Sequence, residues 1–157
     1  MTRYANQTTI TPEATRMEIE RLLTRYGATG FFFASGGDAA VIGFRMKERM
    51  IKFVLKLPPA AEFRTTDKGV RRGERAWYNA WDQAKRSHWR ALLLIIKAKL
   101  EAVECGIVEF EDEFMPQTVM PDGSTVAEWM APQLAEAYAK GIMPPSMLML
   151  AGPGGAS

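Results

Sequence analysis

Trp77-Tyr78-Asn79-Ala80-Trp81-Asp82-Gln83-Ala84-Lys85-Arg86-Ser87-His88-Trp89-Arg90 lies near the start of a proline-free segment running from Glu74 to Met115. Within that segment Trp77, Ala80, Trp81, Ala84, His88, Ala91, Leu92 and Ile95 recur at the three-and-four spacing of one helix face. A second set, Trp89, Leu93, Ile96, Leu100 and Val103, lies beside it, so His88 to Ile96 is apolar nearly all round. The spacing predicts a long helix that other elements cover on more than one side. Gly106 falls inside this range, yet Leu100, Val103, Ile107, Phe110 and Phe114 keep the period across it, so the helix is expected to continue or to break only briefly.

Upstream of the helix the period changes to two. Thr29 to Ser35, Ala39 to Met46 and Met50 to Leu57 read as strands, separated by turns at Gly36-Gly37-Asp38 and Lys47-Glu48-Arg49. Ile42, Phe44 and Met46 share one face with Ile51, Phe53, Leu55 and Leu57. Arg45, Lys52 and Lys56, with Phe32 beside them, fall on the other. Pro58-Pro59 ends the sheet, and Ala60 to Gly73 is a loop rich in charge. Before the sheet, Thr11-Pro12-Glu13 carries cap, first-turn proline and first-turn acid. Ile19, Leu22, Leu23 and Tyr26 mark the buried face of a short helix that Gly27 stops.

Downstream, Met120-Pro121-Asp122-Gly123 is a turn with short extended flanks. Thr125-Val126-Ala127-Glu128 matches a capping box. A last helix therefore starts near Val126, bends or restarts at Pro132 and ends before Gly141. Its apolar face is formed by Val126, Trp129, Met130, Leu134 and Tyr138. The fold class is α+β: an N-terminal helix, a three-stranded antiparallel meander, a long central helix packed on the sheet, and a closing C-terminal helix. Residues 1–141 form one domain. Residues 142–157 form a flexible Pro/Met/Gly-rich tail that offers Met147, Leu148 and Leu150 to a protein partner. Met1 to Ile10 is expected to be loose unless something captures it.

The totals narrow the function classes. A chain of 157 residues with 47% hydrophobic composition buries a real core. It contains no apolar run of about 18 residues, which excludes a membrane-spanning helix. The polar N-terminus lacks a signal-peptide pattern, and the single cysteine, Cys105, fits a reducing cytoplasm. Net charge is +2, but residues 1–99 hold 19 Lys/Arg against 9 Asp/Glu, while residues 100–157 hold 1 against 9. The chain is basic in front and acidic behind. This layout suits a basic surface for a polyanion, together with homo-oligomers assembled basic face to acidic end.

Most single-residue candidates for chemistry reduce to structure. His88 has no partner nucleophile and reads as a packed histidine. Cys105 sits among acids and reads as inert. Gly36-Gly37-Asp38 lacks the spacing of a phosphate loop. The acids from Glu101 to Glu113 read as a solvated or interface face, with a basic neighbour expected near Glu109, Glu111, Asp112 and Glu113. No catalytic residue, metal ligand or cofactor is assigned. The cations remain as the strongest functional set. Arg71, Arg72, Arg75, Lys85, Arg86 and Arg90 interleave with Trp77, Tyr78, Trp81 and Trp89, and Arg45, Lys52 and Lys56 of the sheet are placed with them. In a single-strand binding surface these nine cations contact phosphates and Tyr78 stacks on a base.

The segments Ala91 to Gly106, Pro121 to Trp129 and Arg16 to Thr29 together resemble an uncharacterised family encoded by tailed bacteriophages and prophages, which implies residence in a host-cell cytoplasm. The order helix, meander, long basic helix is similar to the core of Rad52-like single-strand annealing proteins. That resemblance implies rings that hold DNA between the sheet hairpin and the helix. The expected function is a phage-type DNA-metabolism protein that binds single-stranded nucleic acid. The alternatives are a protein-interaction or inhibitor module working through the long helix and the Met-rich tail, and a small enzyme with a carboxylate site.

Overall fold

Helix α1 spans Pro12–Arg25 in the computed structural model, which describes residues 4–143. Thr11 caps it by accepting from the Ala14 N–H at 3.2 Å, with Pro12 in the first turn as the sequence requires. Strands β1 (Thr29–Gly36), β2 (Ala39–Met46) and β3 (Arg49–Lys56) follow as an antiparallel sheet in the order β1-β2-β3. Lys47 and Glu48 both take positive φ, 47° and 63°, the handedness that a two-residue hairpin needs to match strand twist. Register places Phe32 opposite Gly43 and Gly43 opposite Lys52. The alternation read from the sequence is therefore the one adopted.

On the inner face Ala40, Ile42, Phe44 and Met46 of β2 join Ile51 and Phe53 of β3 in the core. Against them pack Ile19, Leu22 and Leu23 of α1 and one stripe of α2, the 31-residue helix Glu74–Glu104. That stripe is Trp89, Leu92, Leu93, Ile96 and Leu100, most of it the second of the two apolar sets. The other set behaves differently: Trp77, Ala80, Trp81, Ala84, His88 and Ala91 are half-buried, while Leu94 and Ile95 are exposed. The middle of α2 is thus not covered all round. The sheet and α1 take neighbouring sides and leave Leu94 and Ile95 about half exposed.

The long helix also ends earlier than its period suggests. Gly106 takes φ +70°, its N–H bonds Val103 O, and the Ile107 N–H bonds Ala102 O, the paired bonds of a left-handed helix stop. The chain then turns back into α3 (Phe110–Phe114), which returns Phe110 and Phe114 to the core, with Phe114 edge-on to Phe53 at 6.4 Å. Periodicity persists through Gly106 because both elements feed one core. The acids of α3 meet the expected basic neighbours, Arg49 on Glu111 at 3.1 Å and Lys99 on Glu113 at 3.0 Å.

Residues Thr118 and Val119 bridge to Ile51 and Thr125, closing part of the β3 edge. The capping box at Thr125 and Glu128 starts α4 (Val126–Lys140), which runs unbroken through Pro132. It packs on the 3-10 turn Met115–Gln117 and leaves none of its residues fully buried. The lead segment is captured along α2. Gln83 donates to Asn6 O and Thr8 O, Arg86 to Thr9 O, and Ser87 to Tyr4 O. At the other end of the helix pair the Tyr26 hydroxyl donates to Glu101 at 2.8 Å, and this bond raises the phenol pKa. Beyond Met143 the expected tail, with Met147, Leu148 and Leu150, lies outside the described residues. Among the described residues no helix is long and apolar enough to cross a membrane.

One position on the outer sheet face can be tested directly. A Cβ on Gly43 would stand 1.7 Å from Phe32 Cε1, so the ring lies flat on the sheet only because residue 43 has no side chain. Gly43→Ala is expected to expel the Phe32 ring and to lower stability by about 1–3 kcal/mol, measured by urea unfolding. Equal or greater stability in that variant would show that the ring contributes nothing where it lies.

Candidate nucleic-acid interface

The first turns of α2 pack on the chain that follows β3, including the 3-10 turn Ala60–Phe63. Trp77 and Trp81, four residues apart, stack at 6.0 Å with 11° between their planes. Each indole N–H is satisfied by the chain that follows β3, Trp77 by Ala60 O at 2.8 Å and Trp81 by Pro58 O at 2.9 Å. The Arg64 guanidinium covers the outer side of Trp77, 4.0 Å from the ring centroid, and Lys85 Nζ covers Trp81 at 3.9 Å. Arg64, Trp77, Trp81 and Lys85 thus form one continuous cation–aromatic ladder. A ring quadrupole attracts a cation by about 0.5–2 kcal/mol, according to how well it is desolvated.

Tyr78 leans edge-on against both tryptophans, 6.5 Å from Trp77 and 6.2 Å from Trp81, and is 51% exposed. Arg75, Tyr78, Asp82 and Lys85 share one side of the helix by spacing. Arg71 and Arg75 are exposed, and neither makes an ion pair with a described residue. Lys85 is partly neutralised by Asp82 at 3.7 Å. The result is an aromatic platform flanked by cations, on a part of the helix that contributes no buried residue to the core.

The other cations go elsewhere. Arg72 is internal to its loop, donating to Phe63 O and Thr65 O. Arg86 is held by Asp82 at 2.7 Å and by Thr9 O, and Arg90 by Glu18 and Thr15, so both lie in the seam between α2 and the chain before and within α1. Lys52 donates to Gly123 O at 2.8 Å and lies 3.9 Å from Glu128. Arg45 and Lys56 remain without an ion pair to a described residue, but they sit on the outer sheet face, away from α2. Met50, opposite Arg45, is six residues from Lys56, which separates the two by about 20 Å. The expected union of sheet cations with helix cations therefore does not form, because α2 packs on the opposite side of the sheet.

Sequence reasoning missed Arg64 and the platform role of the two tryptophans. Arg64 precedes Trp77 by 13 residues across a loop without period, so no local signal pairs them. The loop folds back because Arg72 N–H bonds Arg64 O and Thr65 bridges Arg71. His88 donates through Nδ1 to Ala84 O, and Cys105 is an exposed helix-end residue. Among the described residues no group of acids, His and Cys has the arrangement of a metal site. The Asp122 carboxyl is held below its ordinary range, first by the Ser124 hydroxyl and then by the Ser124 N–H. No protein-family model, no curated protein and no solved structure matches the chain.

Proposed function

We propose that the protein binds single-stranded nucleic acid at the start of α2, with Tyr78 as the stacking surface and the surrounding cations on the phosphates. One observation carries this reading: a half-exposed tyrosine is fixed in place by two stacked tryptophans, while Arg75 one turn before it and Arg71 ahead of the helix make no ion pair with a described residue. Stacking needs a rigid, exposed ring face, and phosphate binding needs cations not already neutralised within the fold. Arg71 and Arg75 supply such charge, while Arg64 and Lys85, held over the rings, are partly offset by Glu74 at 3.5 Å and Asp82 at 3.7 Å. Arg72, Arg86 and Arg90 position the chain that carries it.

The reading is tested by titrating a labelled single-stranded oligonucleotide across a salt series. Engagement of about five phosphates gives a log–log slope near about −3.5. An affinity that does not change with salt, or no binding at low ionic strength, would exclude the interface.

A further inference from the structure

A cavity of about 240 Å³ opens between the first turn of α1, the sheet and α2. Arg16, Phe33, Ser35, Lys85 and Trp89 line it, and the buried Ala40 and Trp89 close its inner end. The Arg16 guanidinium lies 5.1 Å from the centroid of the Phe33 ring and makes no ion pair with a described residue. Lys85 is the cation that also covers Trp81, so the cavity adjoins the aromatic platform. Glu13 is the one acid in the lining. Two cations from separate elements, with the positive end of α1 beside them, favour an anion over a neutral or cationic occupant.

Shape decides which anion. At about 30 Å³ for each water, the space holds about eight water-sized groups, enough for a phosphate and the sugar atoms next to it. A chain cannot run through, because the inner end is closed. A strand can only end there. A terminal phosphate monoester carries a charge of about −1.5 to −2 near neutral pH, more than an internal diester, and so gains more from a pair of cations.

The path from the platform is continuous. Tyr78, Lys85 and Trp89 follow one another on a single stripe of α2, at spacings of seven and four residues. Tyr78 is about 16 Å along the helix from Trp89, a distance that about five nucleotides cover at 3.4 Å each. We infer that the cavity takes the terminal phosphate of a single strand laid along this stripe, with Arg16 and Lys85 on its oxygens. The inference rests on the single-strand binding proposed above and adds to it a preference for phosphorylated ends.

The test uses labelled single-stranded oligonucleotides of one sequence, phosphorylated at one end, at the other, or at neither, in anisotropy titrations at low salt. A phosphorylated strand is expected to bind about five- to tenfold more tightly than the strand with two hydroxyl ends, as charge-assisted hydrogen bonds allow. The end that responds gives the direction in which the strand lies. Arg16→Ala, at an exposed position whose fold is checked by circular dichroism, should abolish the preference and leave the affinity of the hydroxyl-ended strand near the parent's. Glu13→Gln should widen the preference, since it removes the opposing charge. Arg45→Ala, on the outer sheet face, should leave it intact. Tyr78→Ala should weaken all the strands by the same factor. Equal binding of the three strands, a preference that survives Arg16→Ala, or one that Arg45→Ala removes equally would overturn this inference while the interface on α2 stands. Binding of none of the strands would overturn both.

Discussion

Phe44→Ala is expected to destabilise the protein by about 3–5 kcal/mol, against a total stability on the order of 5–15 kcal/mol for a domain. Phe44 is 0% exposed and sits on β2, the central strand of the sheet. Its ring lies 6.5 Å from Phe31 and 6.4 Å from Phe53, so truncation opens a cavity that three strands border and none can fill alone. With a urea slope of about 2 kcal/mol per molar, the midpoint falls by about 2 M. Phe44→Leu should cost less, because it keeps most of the volume. Tyr138→Ala should change stability by no more than about 0.5 kcal/mol, since no fold contact depends on that ring. A Phe44→Ala variant within about 1 kcal/mol of the parent would mean that the inner sheet face is not the centre of the core.

Tyr78→Ala is expected to weaken single-strand binding by about 1–3 kcal/mol, roughly 5- to 150-fold, with little loss of stability. The stability part follows from geometry, because the ring is half exposed and touches the tryptophans only by its edge. Arg86→Ala and Arg90→Ala should give the opposite pattern. They release the lead segment and α1 from α2, lowering the melting temperature, while affinity stays close to the parent's. Fluorescence anisotropy with a labelled oligonucleotide, beside thermal unfolding, separates the two groups. If Arg90→Ala reduces affinity as much as Tyr78→Ala, the binding surface lies along the α1–α2 seam instead.

The local pattern of this chain was readable because local chemistry and fold agree. Thr11-Pro12-Glu13 starts a helix and Thr125 to Glu128 forms the capping box that its spacing implies. The alternation from Ala39 to Leu57 assigns inner and outer faces correctly down to Phe32 beside Lys52. Two apolar stripes on α2 were also visible. Which of them is core was not, because Trp, Ala and His at helical spacing look as buried as Trp, Leu and Ile until the position of the sheet is known. Gly106 shows the same ambiguity: apolar residues on either side keep one period whether the helix continues or turns back.

Which of the cations gather at the start of α2 was not legible in the sequence. Nine cations and Tyr78 were grouped by composition and neighbourhood, but a guanidinium reaches carbonyls and carboxylates far away in sequence. Arg86 found Thr9 and Arg90 found Glu18, contacts about 75 residues apart for which no spacing rule exists. Secondary structure, turns, strand faces and the charge asymmetry were determined by the sequence alone, since each depends on residues within a few positions of one another. Only the tertiary structure decided which stripe of α2 is buried, that α4 leaves its apolar face open, and which cations remain unpaired around Tyr78. Those outcomes depend on which distant surfaces meet, and burial and ion pairing are settled only there.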